Sequence, residues 1–111
     1  MISEHISVFV TVPDEETAVK VAKAVLDSKI AACASMIPAV RSLYWWKGEI
    51  QDDSELLLVI KTRSDMFDLL SRKIREIHPY EVPEIIAFPI VMGNHDYLAW
   101  IDDNVSRKDT Q

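Results

Sequence analysis

The chain has 111 residues, enough for one folded domain and too few for two with separate cores. Hydrophobic residues make up 49% of it and glycine only two positions, which excludes a disordered or low-complexity chain. Twelve basic against eighteen acidic residues leave a formal charge of −6 with no basic run, which argues against nucleic acid and favours cations as charged partners.

Cys33 is the single cysteine, so no internal disulfide forms and a reducing compartment suits the chain. The opening MISEHISVFV lacks the basic segment and cleavage pattern of a leader, and no apolar stretch reaches the ~18 residues of a membrane span. The expectation is a soluble cytoplasmic protein without a membrane partner. One domain is expected over residues 1–111, with a core at about 5–105 and a frayed tail SRKDTQ.

Residues 6–12 alternate, with Ile6, Val8, Val10 and Val12 on one side, and are rich in β-branched side chains, which predicts a strand. Pro13 stops it and Asp14 is placed to cap a helix whose first turn holds Glu15 and Glu16. Ala18, Val21, Ala22, Val25 and Leu26 form one face of that helix, which should end near Lys29. Residues 30–37 are apolar and small, and Pro38 restricts them to a break, an edge or a bulge.

The chain then reads RSLYWW, turns at Lys47-Gly48 and resumes as a strand, a long hairpin with glycine free to take positive φ. Gln51-Asp52-Asp53 has the look of a bulge before ELLLVIKT. Ser64 is placed to cap a second helix with Phe67, Leu70, Ile74 and Ile77 as its stripe. Residues 85–91 read as the last strand, Gly93-Asn94 as a break, and Tyr97, Leu98, Ile101 and Val105 as one side of a final short helix.

The order β-α-β-β-α-β followed by a helix predicts the α+β, ferredoxin-like split βαβ arrangement, an antiparallel sheet with both main helices on one face. LLLVI and IIAFPIV are apolar at consecutive positions, so both faces of the sheet want cover. Two helices cover one face and a short C-terminal helix only part of the other. An apolar face of that size predicts a homo-oligomer joined sheet to sheet.

The stretch REIHPYEVPEI concentrates the candidate chemistry. Pro79 ends the helix at His78, where an imidazole can bond the last carbonyls and meet the negative end of the dipole. Alternatively one ring nitrogen stays free for a divalent cation, with Glu81 and Glu84 as carboxylate partners. No H-x-x-H, C-x-x-C or H-x-E cluster accompanies it, so a complete ligand set would draw on more than one subunit.

Cys33, among small apolar residues, reads as a buried small hydrophobe, and no paired groups demand a catalytic role. The acidic, glycine-free T-V-P-D-E turn is poor for phosphate. Tyr44, Trp45 and Trp46 at the hairpin and Tyr97 and Trp100 on the last helix suit interface packing. A cleft between subunits, lined by Trp46, Glu55, Lys61, Glu84, Tyr97 and Trp100, would accompany that packing.

Ordered short motifs add a resemblance. T-V-P at 11–13, A-A-C at 31–33, Y-W-W-K-G at 44–48 and S-E-L at 54–56 are followed by K-T at 61–62, H-P-Y at 78–80, P-E at 83–84 and Y-L-A-W-I at 97–101. Together they resemble the CutA family of divalent-cation tolerance proteins over almost all of residues 6–101. The resemblance implies a homotrimer of ferredoxin-like subunits, a role in tolerance of copper and other divalent metals, and no enzymatic reaction. Of the copper ligands suggested for some members only His78 is present, the other two positions being Val10 and Ile77. The alternative is a signalling or small-molecule-binding trimer that uses the aromatic cleft.

Overall fold

The computed structural model describes residues 4–106; of the tail expected to fray, 106–111, only Ser106 is described and its amide is bonded, while 107–111 lie outside the described residues. The elements are β1 (His5–Val12), α1 (Glu15–Asp27), β2 (Cys33–Trp46), β3 (Glu49–Arg63), a 3-10 turn (Ser64–Met66), α2 (Phe67–Ile77), β4 (Ile85–Pro89) and α3 (His95–Asn104). The four strands form one antiparallel sheet in the order β2-β3-β1-β4, the split βαβ arrangement. No helix among the described residues is long and apolar enough to cross a membrane.

The alternation expected in β1 is present: Ile6, Val8, Val10 and Val12 are buried. They meet Leu58 and Ile60 of β3, Val21 and Val25 of α1, and Leu70 and Ile74 of α2 in one core. Asp14 caps α1 by accepting from the Thr17 amide at 2.8 Å. Asn94 caps α3 by accepting from the amides of Asp96 and Tyr97.

Three sequence expectations need correction. Gln51-Asp52-Asp53 is no bulge, because β2 and β3 stay in register from Trp46↔Glu49 to Val40↔Glu55. The irregularity falls instead between Ile37 and Val40, where Pro38 offers no amide and Ala39 takes φ 62°. That bulge sits on an edge strand, as Pro38 requires.

Ser64 does not cap α2. Its amide continues the strand pairing by donating to the Glu4 carbonyl at 2.8 Å, so a 3-10 turn with buried Met66 intervenes before α2 starts at Phe67. Strand β4 ends at Pro89 rather than residue 91, although the Ile90 amide still reaches the His5 carbonyl.

Strands β2 and β3 have 14 and 15 residues, while β1 pairs with β3 only from Leu56 onward. Residues 40–55 therefore project as a two-stranded ribbon, which accounts for a molecule 43 Å long and only 24 Å thick. The sheet face away from α1 and α2 carries Ile37, Leu57, Val59, Phe9, Ile86 and Phe88 by register. Phe88 is 46% exposed and stacks on Phe9 with centroids 4.8 Å apart. This is the uncovered apolar face that the strand patterns predict.

Helix α3 covers one end of that face. Its Asp102 accepts from His5 Nε2 at 2.9 Å and from Arg63 Nη1 at 2.7 Å, and the Ser106 amide donates to the Lys29 carbonyl. Burial works against the Asp102 charge, but the hydrogen bonds from Arg63 and His5 outweigh it and hold the carboxyl below its ordinary 3.8. A depressed value means that the clamp stabilises fully above the ordinary value and is lost as pH falls through the folded one. Asp102→Asn is expected to flatten the acid limb of the urea midpoint below roughly pH 4. An acid limb identical to that of the parent chain would show that the clamp carries no such stability.

Candidate functional site

Pro79 stops α2, and the chain crosses at residues 79–84 to β4 beneath the projecting ribbon. Between crossing and ribbon lies a groove of about 750 Å³. Tyr44, Trp46 and Tyr80 give it aromatic walls, and Arg41, Lys47, Glu55, Glu81 and Glu84 give it charge.

His78 stands behind this groove and is only 8% exposed. Its backbone amide closes α2 on the Ile74 carbonyl at 2.8 Å. Contrary to the expectation from the sequence, the imidazole does not bond the last carbonyls of its own helix. Instead Nε2–H donates to the Thr11 carbonyl at 2.8 Å, and Nδ1 accepts from the Tyr80 amide at 3.1 Å. The carbonyl can only accept and the amide can only donate, so these partners fix the proton on Nε2. Both ring nitrogens are thereby engaged, and the imidazole latches the end of β1 to the start of the crossing.

The latch positions Tyr80. Its ring lies 4.7 Å from the imidazole, and its hydroxyl donates to Glu55 Oε2 at 2.6 Å. Burial raises the Tyr80 phenol above its usual range, and the bond to Glu55 and the charge of that carboxylate raise it further. On the ribbon, Tyr44 donates to Asp53, which raises that phenol too. Arg41 bonds Asp52 twice, at 2.9 and 2.7 Å. The acidic run read as a bulge thus serves as cross-strand partners for Arg41 and Tyr44.

Of the residues expected in a metal site, Glu81 and Glu84 are exposed on the groove wall and His78 is turned away into its latch. Among the described residues no three His, Cys, Asp or Glu side chains converge to hold a metal ion, so one chain does not fit such an ion. The residues expected in the aromatic cleft fall into two groups. Trp46 and Glu55 line the groove. Lys61 lies six residues further along β3, roughly 20 Å at a strand rise of ~3.3 Å.

Lys61 pairs with Cys33, whose thiol lies 3.5 Å from the Tyr97 hydroxyl, and Tyr97 in turn packs on Trp100 at 5.5 Å. The contact with Cys33, together with burial, pushes the Tyr97 phenol up to about 12. Sequence reasoning missed the role of Tyr80 as the donor that holds Glu55. The available signal was a lone carboxylate opening the apolar run ELLLVI.

Fold and groove together define an α+β sheet protein with its two main helices on one face, a largely uncovered apolar opposite face and an acidic, aromatic-walled groove under a long hairpin. The family described as CutA1 divalent ion tolerance protein matches residues 6–104, and the chain belongs to that family. The divalent-cation tolerance protein CutA of Thermus thermophilus is 45% identical over 97 residues, 87% of this chain and 94% of that one. The human protein CutA is 47% identical over 84% of this chain, which spans about half (52%) of that relative's length. The crystal structure of CutA1 from Oryza sativa superposes with a TM-score of 0.92 at 40% identity, over 96% of this chain and 98% of that one.

Proposed function

We propose that this chain acts as a homotrimer in the response to divalent cations, copper(II) among them, and binds the cation where subunits meet. The observation that carries the reading is the apolar sheet face of Ile86, Phe88, Phe9 and Ile37, whose area asks to be covered by neighbouring copies of the chain. Family membership, under a name that speaks of divalent ion tolerance, supplies the cation. Since the His78 nitrogens are spent on Thr11 and Tyr80, ligation falls to the exposed carboxylates Glu81 and Glu84 with groups of a neighbouring subunit.

Calorimetric titration of copper(II) into the metal-stripped, size-verified oligomer tests this reading. Saturable binding is expected in the parent chain and in His78→Ala, and should be lost in Glu81→Gln/Glu84→Gln. Binding lost in a folded His78→Ala instead would return the ligand role to the histidine. Unsaturable heats in every variant would remove cation binding altogether.

A further inference from the structure

Glu55 is the least ordinary group in the groove. It is only 5% exposed, and a carboxylate so deeply placed needs compensation for the water it has lost. Among the described residues its one hydrogen-bond donor is the neutral hydroxyl of Tyr80, at Oε2, and no ion pair reaches it. Glu55 lines the groove, and its second oxygen is not sealed off without a partner. It is an acceptor set for a donor from outside the chain.

The surroundings define that donor. Arg41, on the same wall, is already paired with Asp52, to which it donates two hydrogen bonds. Three carboxylates, Glu55, Glu81 and Glu84, then face one unspent cation, Lys47. Lys47 does not reach them: its ammonium lies over the Trp46 ring, 5.6 Å from the centroid. The chain thus already places a primary ammonium on one wall of its own groove.

A hard metal ion is a poor match, because it wants several converging oxygens and gains nothing from aromatic walls. An alkylammonium gains from both the rings and the carboxylates. We infer that the groove is a binding site for a small linear organic amine with two or more ammonium groups. One ammonium donates to the second oxygen of Glu55, the methylene stem lies against Tyr44, Trp46 and Tyr80, and a second ammonium meets Glu81 and Glu84. Lys47 is the internal competitor for the Trp46 face. Glu81 and Glu84 are shared with the proposed cation site, so amine and cation compete for them, while Glu55 and the aromatic walls belong to the amine alone.

Spermidine titrated into the full-length oligomer, followed by indole fluorescence and calorimetry in physiological salt, tests the assignment. Saturable binding is expected, weakened about ten- to hundredfold in Glu55→Gln through loss of a charge-assisted bond. Lys47→Gln, on an exposed turn, is expected to bind about two- to fivefold tighter, an effect that damage to the fold does not produce. Heats that never saturate, as from a groove closed by a neighbouring subunit, overturn the site. So do heats that magnesium reproduces at equal ionic strength, or a Lys47→Gln variant that binds no tighter.

Discussion

On the proposed assembly, Phe88→Glu is expected to yield a folded monomer and the parent chain a trimer. Phe88 is 46% exposed and Ile86 beside it 45%, so close to half of each is left for a neighbouring copy to cover. Covering a phenylalanine fully is worth roughly 1.5–3 kcal/mol, so its exposed half contributes on the order of 1 kcal/mol, and the contribution recurs in every subunit. A carboxylate placed there without a partner adds a desolvation cost to the lost apolar burial. Together these amount to at least ~3 kcal/mol per subunit, more than a hundredfold in association for each. Light scattering behind size exclusion, at micromolar protein, reads the mass, and circular dichroism checks the fold. A trimer that persists with glutamate at residue 88 would show that subunits meet elsewhere.

His78→Ala is expected to destabilise the subunit by roughly 2–4 kcal/mol. The substitution removes two hydrogen bonds and strands their partners, the Thr11 carbonyl and the Tyr80 amide, beside a site that is nearly closed to water. Each buried group left unmatched costs roughly 1–3 kcal/mol. The loss spreads to Tyr80, whose ring rests 4.7 Å from the imidazole and whose hydroxyl holds Glu55. Urea unfolding of the variant should show a lower midpoint with an unchanged slope. A midpoint equal to that of the parent would mean that the latch stores no stability.

The sequence is most legible where spacing is regular. Ile6 to Val12 in alternation, the Lys47-Gly48 turn and the i, i+3, i+4 stripe from Ala18 each reappear as the element they indicate. Legibility fails where a residue has two local options. Ser64 could cap a helix or extend a strand, and the Glu4 carbonyl decides for the strand. The acidic run at 51–53 could kink or pair, and Arg41 and Tyr44 across the ribbon decide for pairing.

The candidate site was legible in residue type and illegible in partnership. His78 stood out beside Pro79, but its acceptor is Thr11, 67 positions away. Glu55 and Tyr80 are 25 positions apart and meet only because the ribbon overhangs the crossing. Contacts of this kind are products of topology, and no window along the chain contains both partners.

The Asp102 clamp has a bearing on how the chain acquires its structure. One carboxylate ties His5, at the start of the first strand, to a helix 97 positions later. During synthesis β1 therefore waits for almost the entire chain before its outer end is fastened. Contacts of such long sequence separation form late and slowly, since the loop they close must be ordered first. Until then the outer end of the first strand is exposed to other nascent chains, and the last helix closes that end, leaving the remainder of the apolar face to be covered by association.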